Sequence, residues 1–225
     1  MSHAACPTTQ SASAPGLPPA LARLLLAVGE DRSDHLSTPQ ADALDVRRSL
    51  DGDEGAFRRL IARHQERIAS MMWRFSRDRA THEELVQEVF IEAWTSLDGY
   101  RAEAPFEHWL SRIATRVGYR HWREAEREGK IVRVPLAEHP GLAAPEELEP
   151  PAAGELLHRL LQDLSPRDRL VLTLRYLEEK TVKETAELTG WSESMVKVQA
   201  HRARGRLQKL FERAVREAEE TRKRP

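Results

Sequence analysis

From Leu44 to about Arg127, apolar residues recur every three or four positions, the period of helices that each bury one face. Phe57, Leu60, Ile61, His64, Ile68, Met71, Met72 and Phe75 form the first such face. Thr81, with Glu84 three residues on, has the capping-box pattern and predicts the start of a second helix. Its buried side would carry Leu85, Val86, Val89, Phe90, Ala93, Trp94 and Leu97. Asp98 to Ala104 reads as a loop, and Pro105 suits the first position of a third helix with Phe106, Leu110, Ile113 and Val117 turned inward. A second block opens on Leu156, Leu157, Leu160 and Leu161. Ser165, Pro166 and Asp168 then supply an N-cap, a first-turn proline and an early acid, ahead of a stripe of Leu170, Val171, Leu174 and Leu177. Thr181 and Glu184 form another capping box, Gly190 can close the short helix they open, and a last long helix starts near Ser192.

Between the blocks, Pro135 to Gly154 is rich in Pro and Glu with little periodicity, the composition of a linker that could reach about 60 Å at ~3.3 Å per residue. Ser2 to Ala20 is rich in Ser, Ala, Thr, Gln and Pro, and Leu21 to Val28 could form a short helix. No segment keeps up strand alternation. The expected architecture is therefore all-α, two small helical domains joined by a flexible linker. Residues 1–42 are expected to be a loosely ordered extension, 43–130 the first domain, 131–154 the linker, 155–215 the second domain with a helix-turn-helix, and 216–225 a charged tail.

Charge alters the picture only when it is read locally. The 225 residues sum to a net charge of −1, an average that by itself argues against nucleic acid. Ser192 to the end nevertheless holds ten Lys or Arg against five Glu, a basic helix within a balanced chain. The single Cys6 permits no intramolecular disulfide and no Cys-based zinc site, and the His residues lack metal-ligand spacing. The start of the chain lacks the basic run of a secretory signal, and the apolar patch from Leu17 to Val28 is short and broken by Arg23. A cytoplasmic protein without membrane insertion, metal or cofactor is expected.

Three surfaces carry candidate chemistry. The first is the short capped helix, the turn at Gly190 and the basic helix after it, an arrangement whose second helix can enter a major groove. A helical wheel buries Val196, Ala200, Ala203, Leu207 and Leu210, and turns Lys197, Val198, His201 and Arg202 outward. Cations can hold phosphates or guanine edges, and Val198 can touch a thymine methyl. Thr181 and Ser194 complete this DNA-binding set. The bland alternative is a helical hairpin with a solvated basic face.

On the third helix, Arg112, Arg116, Arg120, Arg123 and Arg127 share one arc, with Trp109, Tyr119 and Trp122 in or beside it. Cations that track a backbone next to rings that stack on bases suit a single strand. Alternatively, Trp109 and Trp122 are core residues and the arginines pair with Glu124, Glu126 and Glu128; for Trp109 alone the core reading is preferred. The third surface is on the second helix, where Glu84, Glu88 and Glu92 line up opposite the core face, flanked by Gln87 and Ile91. An apolar residue framed by acids fits a basic protein partner, and equally a solvated face with one stray Ile.

The ordered set of motifs resembles a known family. Gly52-Asp-Glu-Gly-Ala-Phe57, Glu84-Leu-Val-Gln-Glu-Val-Phe-Ile-Glu-Ala-Trp94 and Phe106-Glu-His-Trp-Leu-Ser-Arg-Ile-Ala114 are similar to region two of an extracytoplasmic-function sigma factor. Leu164-Ser-Pro-Arg-Asp-Arg-Leu-Val-Leu-Thr-Leu-Arg-Tyr-Leu177, Ala186-Glu-Leu-Thr-Gly190, Val196-Lys197 and His201-Arg-Ala-Arg204 are similar to region four. The resemblance implies a protein that catalyses nothing itself. It would bind core RNA polymerase through Glu84 to Leu97, hold the melted minus-ten strand on the arginine-rich helix and the Asp98 to Ala104 loop, and read the minus-thirty-five duplex with the last helix. Promoter DNA and an anti-sigma factor are the further partners it implies. Departures are visible: Arg116 and Arg120 stand where many members have Asn and Asp, and Val198, Gln199 and Ala200 replace Ser, Arg and Leu. An enzyme would need a phosphate loop, nucleophile elbow or ligand cluster that this sequence lacks. The remaining rival is a stand-alone helix-turn-helix regulator with an all-α sensing domain.

Overall fold

The computed structural model describes residues 39–129 and 150–222. The extension as far as residue 38, the short helix expected at Leu21 to Val28, and the linker from 130 to 149 lie outside the described residues. Eight α-helices make up the described chain: α1 Pro39–Leu50, α2 Glu54–Met72, α3 Arg79–Thr95, α4 Phe106–Arg127, α5 Pro150–Gln162, α6 Pro166–Leu172, α7 Val182–Thr189 and α8 Glu193–Arg222. A widened π turn, Thr173–Leu177, extends α6. Among the described residues there is no strand, and no helix is long and apolar enough to cross a membrane.

The first four helices close around the expected apolar faces, with Leu60, Ile68, Met72, Leu85, Val89, Leu110 and Ile113 all buried. Each such side chain contributes about 1.5–3 kcal/mol on leaving water. Gly118 allows the close crossing of α4, because a Cβ there would overlap the Phe75 ring. Three details differ from the sequence reading. The N-cap of α3 is Asp78, which accepts from the Thr81 backbone N–H at 2.8 Å, so Thr81 lies inside the helix. Pro105 caps α4 and Phe106 is its first residue. Trp94, placed in the core by its spacing, is 44% exposed.

The N-terminal boundary also shifts. α1 begins at Pro39, inside the segment assigned to the extension, and continues through its last residue, Asp42, into the expected first domain. Asp42 and Asp45 are buried and hold α2. Asp42 contacts Arg63 Nε at 2.9 Å and His64 Nε2 at 3.0 Å, while Asp45 takes Arg59 and Arg63 at 2.7 and 2.6 Å. Burial works to raise the Asp42 pKa, but His64 and Arg63 outweigh it and hold the carboxyl below its ordinary range. A polar stretch that looks like loop sequence is helical because its acids have partners on the next helix.

The second half builds its own core from Leu156, Leu157, Leu160, Val171, Leu172, Val196, Ala203 and Leu207. Ser165 caps α6 as expected, accepting from the Asp168 N–H at 3.3 Å. Asp168 does more than favour the helix start: its buried carboxylate accepts from Gln199 Nε2 at 2.6 Å and Arg206 Nη1 at 2.7 Å, tying α8 to α6. α5 starts at Pro150, within the expected linker, and α8 runs on to Arg222 through most of the expected tail.

The two halves pack on each other. Leu170 of α6 and Leu174 of the π turn after it join the first core, with Leu188 and Trp191 against it. The Arg169 guanidinium lies 4.0 Å over the Trp122 ring, and Arg74 pairs with Glu178 at 3.2 Å. This seam is over-supplied with cations: Nε of Arg77 and of Arg169 are buried without a hydrogen-bond partner. Burial, then Arg77, pushes the Arg169 pKa down to about 9. Burial, then Arg169, Arg77 and Arg159, pushes His158 down to about 3.

A depressed histidine pKa makes the fold sensitive to acid. Above pH ~6.5, His158 is neutral whether the chain is folded or not; below it, the unfolded chain takes up a proton that the folded chain refuses. His158 therefore contributes stability that is present above its unfolded pKa and lost as pH falls toward about 3. The expected loss from this group between pH 7.5 and 5.5 is about 1.4 kcal/mol. Burial lowers the His121 pKa too, which adds to the loss in the same direction. Urea unfolding at the two pH values measures the loss, which shrinks in His158→Gln; an undiminished loss in the variant would contradict the assignment.

Candidate nucleic-acid and polymerase interface

On α3, the five positions singled out from sequence share the surface opposite the core. Glu84, Gln87, Glu88 and Ile91 are exposed, Ile91 at 63%, and Glu92 is half-buried. Trp94, three residues beyond Ile91, joins them. The core face of α3 is filled by Leu85, Val89, Phe90 and Ala93, and the indole lies edge-on to Phe57 with ring centroids 4.8 Å apart. The result is an apolar pair, Ile91 and Trp94, rimmed by carboxylates. The pairing of two large apolar residues at i and i+3 outside the core arc was the available signal for Trp94.

On α4 the arginine stripe is present but not uniform. Arg112 and Arg123 are exposed, whereas Arg116 and Arg120 reach across to α3. Arg116 Nη2 meets Glu92 at 2.5 Å, and Arg120 Nη2 meets Glu88 at 2.7 Å and Glu92 at 3.2 Å. The counterions thus come from the neighbouring helix rather than from Glu124, Glu126 and Glu128. Burial would lower the Arg120 pKa, but the two carboxylates raise it.

The aromatic residues of α4 fall into three environments. Trp109 is half-buried against Tyr100 and Phe106, with centroids 5.3 and 5.4 Å away. Tyr119 is half-buried with Arg123 over one side, 5.9 Å from the ring centroid, and Trp191 at 6.4 Å. Trp122 departs from the expected strand surface. It is 2% exposed, donates from Nε1 to the Phe75 carbonyl at 2.8 Å, and is covered by Phe75 and Arg169. In this arrangement Trp122 is a core residue, because α6 closes over the side of α4 that the wheel leaves open. The adjoining loop opens on the 3-10 turn Leu97–Gly99, and Tyr100 donates its hydroxyl to the Ala104 carbonyl at 2.7 Å.

The second half presents a helix-turn-helix. In α7, Thr181 Oγ1 accepts from the Glu184 N–H at 3.1 Å, and Glu184 accepts from the Thr181 N–H at 2.7 Å, closing the capping box. Gly190 ends the helix at φ 73°, a left-handed conformation that costs glycine nothing. Ser192 Oγ accepts from the Met195 N–H at 3.2 Å as α8 begins. Val196, Ala203 and Leu207 are buried, so Lys197, Val198, His201 and Arg202 project into solvent on the first turns, Val198 at 50% exposure. Ser194 is exposed next to them, with its hydroxyl 3.1 Å from that of Ser192. A groove between α4 and α7 brings residues outside the three surfaces, Arg67, His108, Lys180 and Glu187, together with Arg112 and Glu184, which the sequence had already singled out. Among the described residues, no group of three His, Cys, Asp or Glu is placed to hold a metal ion.

Comparison with known proteins matches these two halves separately. The family described as Sigma-70 region 2 matches residues 60–128, and that described as Sigma-70, region 4 matches residues 154–207. The RNA polymerase sigma factor CarQ of Myxococcus xanthus is 32% identical over 173 residues, covering 74% of this chain and 95% of CarQ. The ECF RNA polymerase sigma-E factor of Escherichia coli is 27% identical over 179 residues, covering 75% of this chain and 93% of that protein. Among solved structures, CnrH in complex with the cytosolic domain of CnrY has a TM-score of 0.51 at 25% identity, covering 76% of this chain and 97% of CnrH.

Proposed function

The chain belongs to the extracytoplasmic-function group of the sigma-70 family, a factor for promoter-specific initiation by RNA polymerase, and on that premise we propose how its surfaces divide the work. The α3 patch of Glu84, Gln87, Glu88, Ile91 and Glu92, extended by Trp94, docks on a basic surface of core polymerase. The α4 surface, with Arg112, Arg116, Arg120, Arg123, Trp109 and Tyr119, takes the melted minus-ten strand. The start of α8 reads the minus-thirty-five element in duplex form, with Thr181 and Ser194 beside the phosphates. Such a factor performs no reaction of its own and acts in the cytoplasm with its polymerase. An anti-sigma factor belongs to the same reading, CnrH having been solved with a protein domain bound. Domain roles follow, with residues 43–130 joined by α1 as the polymerase and minus-ten unit and 155–215 as the minus-thirty-five unit.

The observation that carries this reading is the exposed row Lys197, Val198, His201 and Arg202 at the N-terminal turns of a helix set by a capped helix and a glycine turn. A recognition helix meets base edges with those turns. Lys197 is a flexible point charge suited to phosphate, and Arg202 carries the planar fork that pairs with a guanine edge. Lys197→Ala is expected to weaken all promoters alike and to reduce the salt slope by about 0.9. Arg202→Ala should cost about 1–3 kcal/mol and relax preference at one upstream base pair. Transcription by the holoenzyme across a promoter library separates the two. Unchanged base preference in Arg202→Ala would remove its reading role.

A stand-alone regulator would use α8 equally well but has no use for an acid-rimmed apolar patch on α3. That patch favours the polymerase reading.

A further inference from the structure

Glu88 and Glu92 belong to two surfaces at once. Their helix face is the docking patch around Ile91, yet their carboxylates reach sideways to α4. Glu92 receives Arg116 at 2.5 Å and Arg120 at 3.2 Å, and Glu88 receives Arg120 at 2.7 Å. The pairs lie at the rim, with the Arg116 side chain 59% exposed and that of Glu92 24% exposed. They are therefore screened, weak enough to exchange partners, and open to a competing charge on either side. Among the described residues, Arg112 and Arg123 carry no such counterion from α3.

A guanidinium that already faces a carboxylate offers little net charge to a phosphate. A carboxylate engaged by two arginines is likewise half-spent toward a basic protein. The same four side chains cannot serve both partners fully while they serve each other. Resting on the proposed roles of α3 and α4, we infer that Glu88 and Glu92 hold Arg116 and Arg120 back from single-stranded DNA until a basic partner surface takes the two carboxylates. Arg112 and Arg123 are then the constant part of the strand surface, and Arg116 and Arg120 the conditional part. Arg116 and Arg120 are positioning residues for the acids in the free protein and phosphate ligands once the acids are engaged. Linkage makes the effect mutual: a strand that captures the arginines releases the acids, so each partner strengthens the other.

The test uses the full chain without polymerase and a short fluorescein-labelled single strand of DNA, read by anisotropy across salt. Glu88→Gln with Glu92→Gln mimics acids that have been taken. Two freed arginines would add two phosphate contacts, steepening the salt slope by about 1.4, which is about a sevenfold larger affinity change between ~50 and ~200 mM salt. The control is Glu54→Gln with Glu83→Gln, which makes the same charge change and releases Arg58 and Arg79, arginines outside the α4 stripe. The control should leave the slope unchanged, and adding Arg116→Ala and Arg120→Ala to the first pair should cancel its gain. Equal slopes for the two acid pairs would overturn the inference, as would a gain that survives loss of the arginines. If Arg112→Ala with Arg123→Ala weakens strand binding while Glu88→Gln with Glu92→Gln gains nothing, the restraint is wrong and the strand surface stands. If no variant binds the strand at all, both fall together.

Discussion

Replacing Glu84 by Lys and Ile91 by Asp together is expected to lower affinity for core RNA polymerase by about a hundredfold, or ~2.7 kcal/mol, and leave the chain folded. Glu84 and Ile91 are exposed on the side of α3 opposite Leu85, Val89 and Ala93, so neither substitution disturbs packing. Ile91→Asp puts a charge where an apolar anchor would be desolvated, and Glu84→Lys sets a like charge against a basic partner. Neither residue pairs with α4, which separates this effect from that of Glu88 and Glu92. Competition for core polymerase measures the loss and circular dichroism verifies the fold. A folded double variant that competes as well as the parent would remove α3 as the docking surface.

Trp122→Ala is expected to destabilise the chain by about 3–5 kcal/mol, the cost of emptying a large buried site. The indole is 2% exposed, packs on Phe75, lies beneath Arg169 and satisfies the Phe75 carbonyl through Nε1. Its loss opens a cavity where the two halves meet and leaves that carbonyl without its donor. Trp109→Ala, at a half-buried position, should cost less. Chemical denaturation of the two variants orders them; a Trp122 variant as stable as the parent would mean that the seam with α6 does not persist in solution.

What was legible in the sequence is what neighbours along the chain decide. Ser165, Thr181 with Glu184, and Gly190 set helix ends through contacts within a few residues, and each behaves as its pattern implies. The exposed row from Lys197 to Arg202 was likewise fixed by the wheel of a helix whose apolar seam is clear. Contacts between distant elements were not legible. The arginines of α4 look for partners one turn away on a wheel, but their counterions sit 24 and 32 residues earlier on α3. Asp168 reads as the early acid of a helix start, although its carboxylate clamps residues 31 and 38 positions on. Trp94 and Trp122 have equal claims to burial by hydrophobicity. Trp122 is covered because Phe75 and Arg169 close over it, and Trp94 is left half-open because α3 has already filled its core face. Asp42 looks like the end of a loose extension until Arg63 and His64 are brought against it.

Run-off transcription with core RNA polymerase, supplied with this chain as the sole initiation factor and followed by promoter mapping, decides whether the chain directs initiation to promoters. Initiation from discrete start sites that depend on the chain, with protection over both a minus-ten and a minus-thirty-five element, is the predicted result. Core polymerase that gains no promoter specificity, while the chain alone binds duplex DNA tightly, would contradict it.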